Sequence, residues 1–193
     1  AKMGYPSRSV EECKYLVGDG VDVFARRALP TRSRDEKTVE ELIKIYREEY
    51  ATRWTQKTCP YGGVVEMLTT LNDYGVPCAI LSNKRQATVA KSASQFLPSV
   101  SFAEIRGART SAPLKPDPTP ALDIVRNLAV KAEDVVFVGD TKTDMQTAVS
   151  AGMLPVGVLW GFRSADELRE HGARFVIQHP MELLSFLDVP EYC

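Results

Sequence analysis

Two carboxylates close the stretch Val135-Val136-Phe137-Val138-Gly139-Asp140-Thr141-Lys142-Thr143-Asp144-Met145. The residues before Gly139 are β-branched or aromatic, a composition suited to a strand buried on both faces. Asp140 stands where that strand stops and Asp144 follows one turn on, so both acids can face one point in space. A hard cation is one use for them. Mg²⁺ takes one or two carboxylates and fills its remaining sites with water and substrate phosphate oxygens. The other use is local, because Asp is a favoured N-cap at a strand-to-helix turn. This stretch alone leaves both readings open.

Two more polar strand ends tip the balance. Val76-Pro77-Cys78-Ala79-Ile80-Leu81 reads as a strand running out at Ser82-Asn83-Lys84, whose hydroxyl and amide can donate to phosphate oxygens. Pro113-Leu114-Lys115-Pro116-Asp117-Pro118 holds Lys115 in a proline-stiffened loop just before a helix N-terminus, each proline fixing one φ. Alone, a surface lysine is solvated and Ser-Asn is a turn. Ligands of an open α/β sheet bind at the carboxyl ends of its strands. A hydroxyl, a cation and two acids at three such ends point to phosphate chemistry.

The elements that must position these groups follow from the pattern of the chain. Residues 1 to 58 read as helical. Ser9 and Glu12 have capping-box spacing, Gly18-Asp19-Gly20 breaks the first helix, and Val21 to Leu29 forms a second. Lys37 to Trp54 carries Val39, Leu42, Ile43, Ile45, Tyr46 and Tyr50 on one face, a stripe most simply read as core packing. At Pro60-Tyr61-Gly62-Gly63 the texture changes to alternating strand and helix. Strands are expected at 76–81, 100–105, 135–138, 154–159 and 173–177. Helices are expected after Gly62-Gly63 to about 72, and at 86–97, 118–127, 145–151, 164–171 and 181–187. This alternation implies an α/β fold, a Rossmann-like parallel sheet with helices on both faces. The division is a helical domain over 1–58 and an α/β core over 59–193.

Composition narrows the partners. The chain has 193 residues, 44% hydrophobic and 25% charged, with a net charge of -1. That balance gives no general attraction to nucleic acid or to an anionic membrane. No apolar run approaches the roughly 20 residues of a membrane span, and the opening AKMGYPSRSV has no apolar signal-peptide core. Cys13, Cys59, Cys78 and Cys193 form no CxxC pair and fit free thiols in a reducing, cytoplasmic setting. The expected partner is a small phosphorylated substrate, bound by a monomer or a homodimer.

Leu81-Ser82-Asn83-Lys84, Lys115-Pro116-Asp117-Pro118 and Gly139-Asp140-Thr141-Lys142-Thr143-Asp144-Met145 resemble, in order and spacing, the second, third and fourth motifs of the haloacid dehalogenase superfamily. Val158-Leu159-Trp160-Gly161-Phe162-Arg163, followed by residues 173 to 180, looks like the tail of its phosphoglycolate phosphatase branch. The resemblance implies a Mg²⁺-dependent phosphomonoester hydrolase. Ser82 and Asn83 would bind the phosphoryl group. Lys115 would neutralise it and pair with the nucleophile. Asp140 would ligate Mg²⁺, with Asp144 completing the site or orienting its waters. Residues 1 to 58 are similar to the helical cap of the family. Gly18-Asp19-Gly20 is then a cap loop or an ordinary helix-helix turn. Arg26, Arg27, Arg32 and Arg34 would meet a substrate carboxylate or form a solvated basic face.

One part departs from the family. Its first motif, an Asp-x-Asp on the opening strand, supplies the nucleophile of an aspartyl-phosphate route, and these residues contain none; Asp19-Gly20-Val21-Asp22 has the wrong spacing. The expectation is that the opening strand, which in the family lies between the strands of Ser82 and Asp140, belongs upstream of Ala1, the alternative being a truncated form that rearranges, and that the 193 residues bind phosphate without turning it over. A receiver-type phosphoacceptor domain is a rival disfavoured by the helical segment. A non-catalytic interaction or phosphate-binding protein of the same fold is the other.

Overall fold

The computed structural model describes residues 2–110 and 112–186. The chain divides into two compact units, Ala1–Cys59 and Pro60–Cys193.

The first unit is helical, and among its described residues there is no strand. Its helices are α1 (Val10–Leu16), α2 (Val21–Ala28) and α3 (Glu36–Arg53). The Ser9–Glu12 capping box opens α1: the Glu12 N–H donates to the Ser9 hydroxyl, and the Ser9 N–H donates to the Glu12 carboxylate. Asp35 caps α3 by accepting from the Thr38 N–H at 3.0 Å. Ala25, Leu29, Val39 and Ile43 bury their apolar faces together, and Leu42 packs against them.

The second unit alternates α4 (Val64–Asp73), β1 (Ala79–Arg85), α5 (Gln86–Phe96), β2 (Glu104–Ala108), α6 (Thr119–Leu128), β3 (Val136–Gly139), α7 (Lys142–Ala151), β4 (Leu154–Val158), α8 (Ala165–Glu170) and β5 (Phe175–Ile177). Every strand pairing among the described residues is parallel, as the strand–helix alternation requires. The strands form two ladders, β1–β2 and β3–β4–β5. Met67 and Leu71 of α4 pack with Val156, Val158 and Ile177 of the larger ladder and with Leu183. Ala121 and Val125 of α6 pack with Ala148 and Ala151 of α7, and Leu81 and Phe137 lie against that cluster. None of the described helices is long and apolar enough to cross a membrane.

Several boundaries differ from the pattern-based expectation, each for a local reason. The strand expected at 76–81 runs from Ala79 to Arg85. Pro77 has no N–H to offer a ladder, and the Cys78 carbonyl accepts from the Ala103 N–H before the paired region starts. Ser82 and Asn83 therefore lie within β1, not beyond it. The strand expected at 100–105 runs from Glu104 to Ala108. The Asn72 side chain takes both backbone groups of Ser101, at 2.7 and 3.1 Å, and so holds the start of that segment out of the ladder. Full burial was expected for 135–138, yet Val138 is 38% exposed. Among the described residues its strand pairs with β4 alone. The final helix is a 3₁₀ turn at Pro180–Phe186. Leu187 and Cys193 lie outside the described residues.

Where β1 hands over to α5, Gln86 extends the ladder with its side chain. Its amide nitrogen donates to the Ile105 carbonyl at 2.9 Å, and its amide oxygen accepts from the Gly107 N–H at 2.8 Å. A Cβ at Gly107 would sit 2.7 Å from both the Gln86 Cα and the Lys84 carbonyl oxygen, which are backbone atoms with little room to yield. Gly107→Ala is expected to destabilise the fold by about 1–3 kcal/mol, the usual range for overpacking, read as a lower urea midpoint with an unchanged slope. A midpoint equal to the parent's would show that β1 and β2 can separate freely there.

Candidate functional site

Asp140 leaves β3 and Asp144 lies in the first turn of α7. The cap of α7 decides between the two readings of these acids. Thr141, not Asp140, occupies the N-cap position, and Asp144 is its capping-box partner. Asp144 Oδ2 accepts from the Thr141 N–H at 3.1 Å and from its hydroxyl at 2.6 Å. Capping is thereby completed without Asp140. The Thr-x-x-Asp spacing was the signal in the sequence that would have identified Thr141.

Asp140 instead accepts from the Phe162 N–H at 2.9 Å, on the segment that follows β4. Two glycines permit this close packing. A Cβ on Gly161 would lie 2.2 Å from the Asp140 Cβ, and one on Gly139 would lie 2.1 Å from the Asp144 Cβ. Burial, and then the neighbouring Asp144 carboxylate, raise the Asp140 carboxyl above its usual range, against the opposing pull of the Phe162 N–H and Lys115.

Lys115 reaches this pair from the 113–118 loop. Its ammonium donates to Asp144 Oδ1 at 2.6 Å and to the Leu81 carbonyl of β1 at 3.0 Å, and lies 5.9 Å from the centre of the Phe137 ring. The two side chains are 11% and 9% exposed, so the ion pair is effectively buried. The loop is fixed by Asn83, whose amide nitrogen donates to the Lys115 carbonyl at 3.0 Å and whose amide oxygen accepts from the Lys115 N–H at 2.9 Å. Asn83, expected to donate to phosphate, here fastens the backbone of Lys115. The Ser82 hydroxyl accepts from the Lys84 N–H at 3.2 Å, an arrangement in which its own proton is directed elsewhere. Ser82, Asn83 and Lys115 line one cavity of about 130 Å³, together with Arg106, Arg109 and Asp123.

The donor set suits Mg²⁺. Asp140 and Asp144 repel one another in a partly dry setting, and a divalent cation that takes one or two carboxylates relieves that repulsion. Among the described residues no group of three His, Cys, Asp or Glu is assembled for a metal.

Three of the four arginines singled out in the helical unit have local duties. Arg26 pairs with Glu36 and also donates to the Arg34 carbonyl. Arg27 pairs with Asp19 at 2.6 Å, which ties down the Gly18-Asp19-Gly20 turn. Arg34 donates to the Leu29 carbonyl, and Arg32 is exposed.

Residues 1–158 match the family model described as haloacid dehalogenase-like hydrolase. A phosphoglycolate phosphatase of Pseudomonas savastanoi pv. phaseolicola is 30% identical over 188 residues, covering 95% of this chain and 69% of the relative. A crystal structure from Lactobacillus delbrueckii subsp. bulgaricus is 25% identical and superposes with a TM-score of 0.88 over 97% of this chain and 87% of that one. A haloacid dehalogenase-like hydrolase from Streptococcus pneumoniae has the same fold at 20% identity, with a TM-score of 0.85 over 97% of this chain and 85% of that one.

The buried pair sets the expected cost of disturbing the site. Lys115→Met strands the Asp144 carboxylate and should lower stability by about 3–5 kcal/mol in urea unfolding, the range for removing one partner of a buried ion pair. Adding Asp144→Asn removes the stranded charge and should return part of that loss, as a double-mutant cycle would report. Additive losses would show that the two groups do not interact.

Proposed function

The chain belongs to the haloacid dehalogenase-like hydrolases, and on that premise we propose that its site is built for a small phosphomonoester of the phosphoglycolate kind, the substrate in the names of its relatives. One observation carries the reading: Ser82 and Lys115 line a common cavity, and the Lys115 ammonium is paired with Asp144 beside Asp140.

Each residue then has a physical role. The Ser82 hydroxyl donates to a phosphoryl oxygen and sets its position. Lys115 has three N–H groups; two are directed to Leu81 and Asp144, and the third is available to the phosphate. Its charge offsets that on the phosphoryl oxygens, which is where phosphoryl transfer gains most of its electrostatic stabilisation. Asp140, with Asp144 behind it, would hold Mg²⁺, which as a Lewis acid draws charge from the phosphoryl oxygens when bound. Burial of Asp140 strengthens its attraction for such a cation.

The attacking atom is a separate matter. The family's route forms an aspartyl-phosphate on an Asp-x-Asp residue, and the 193 residues contain no such motif. Ser82 has no histidine base to replace it. His171 ends α8 with its ring nitrogen at the Glu167 carbonyl, and His179 follows β5. These residues bind and neutralise a phosphate without providing the nucleophile.

Two measurements test this. Mg²⁺ added to the 193-residue protein should raise its melting temperature and release or absorb heat in calorimetric titration. Asp140→Asn should abolish the response and Asp144→Asn should weaken it. Unchanged Mg²⁺ binding in Asp140→Asn would remove Asp140 from the metal site. In the second, the same protein assayed on p-nitrophenyl phosphate and phosphoglycolate with Mg²⁺ should show no turnover above background. Metal-dependent turnover that disappears in Ser82→Ala would overturn the view that the nucleophile is not among these residues.

A further inference from the structure

We propose that Arg109 recognises a carboxylate on the substrate, so that the Ser82–Lys115 cavity selects small phosphomonoesters whose leaving group is itself an acid; this rests on the phosphomonoester reading above. The reasoning begins with charge. The cavity is lined by three basic residues, Lys115, Arg106 and Arg109. Lys115 is compensated by Asp144. Arg106 is compensated twice, by Glu104 at 2.7 Å and Asp123 at 2.9 Å, and also donates to the Pro120 carbonyl. Arg109 alone of the three has no ion pair or side-chain hydrogen bond among the described residues, and its side chain is exposed.

The backbone favours that assignment. Arg109 directly follows the last residue of β2, Ala108, at the carboxyl end of the strand. Its carbonyl accepts from the Ala112 N–H at 3.3 Å, which ties it to the segment that leads on to Lys115. The wall beside it is Gly107, which presents no side chain and cannot accept one. A guanidinium mounted there shares a cavity with a hydroxyl and an ammonium suited to phosphate.

The magnitude of the charge selects the ligand. One uncompensated positive charge matches the single charge of a carboxylate, and the planar fork of a guanidinium matches its two oxygens. A second phosphate, carrying nearly twice the charge, would be left half-compensated.

The experiment is calorimetric binding to the full 193-residue protein, in Mg²⁺, of 2-phosphoglycolate and of ethyl phosphate, which has a methyl group where phosphoglycolate has its carboxylate. The parent should bind phosphoglycolate about tenfold more tightly, equivalent to about 1.4 kcal/mol. Arg109→Gln should erase that preference and leave ethyl phosphate binding unchanged, while Arg109→Lys should keep an intermediate preference. Equal weakening of both ligands in Arg109→Gln, or no weakening of either, overturns the assignment. Ethylene glycol bisphosphate binding more tightly than phosphoglycolate also overturns it. Failure of the two readings is distinguishable. If ethyl phosphate binds and needs Ser82 but phosphoglycolate is not preferred, only the Arg109 assignment falls. If neither ligand binds, the phosphate site falls and Arg109 with it.

Discussion

A single ammonium group holds this site together. Lys115 brings a positive charge to a place where little water remains, and such a charge persists only with partners close by. It has a carboxylate at Asp144 and a carbonyl at Leu81, one from the helix after β3 and the other from β1. One partner is in β1 and the other in the helix that follows β3, so the ammonium joins segments of two ladders that share no strand pairing among the described residues. Its neighbours are arranged accordingly. Thr141 orients the carboxylate, Gly139 gives it room, and Asn83 fixes the backbone from which the lysine extends.

The same constraint separates the roles of two acids that look alike. Asp144 is bound by a cation and a cap on opposite oxygens, and its place is settled by the fold. Asp140 has a single amide donor from another segment and the repulsion of its neighbour. An acid so placed is the more responsive of the two to a cation. This asymmetry follows from where a helix starts, since Thr141 takes the capping duty that the strand-to-helix spacing alone would equally have given Asp140.

Much of this was legible in the sequence, for reasons that can be traced. The apolar run at 135–138, the proline-stiffened loop of Lys115 and the Ser-Asn pair identified the residues of the site, because burial and chain stiffness are local properties written in residue type. The helical character of residues 1 to 58 was equally plain from its periodicity and the Ser9–Glu12 box. What was hidden depends on partners distant in sequence. Nothing near Asn83 shows that its amide will meet Lys115, 32 residues away. Nothing near Ser101 shows that Asn72 will take its backbone and delay β2. The arginines of the helical unit could be read as a ligand surface or a solvated face, because Glu36 and Asp19, which engage Arg26 and Arg27, had to be placed by folding first.

Two side-chain amides in this core do the work of peptide groups. Asn83 and Gln86 each present a donor and an acceptor to a backbone, as a neighbouring strand would, and between them they secure the loop of Lys115 and the end of β2. Carboxamides do not gain or lose protons across the range of pH in which proteins stay folded. The ties that hold these two backbone segments are therefore made by groups blind to acidity. Neutralising a carboxylate elsewhere leaves these four bonds intact, so the loop of Lys115 and the end of β2 each keep an anchor that does not depend on charge.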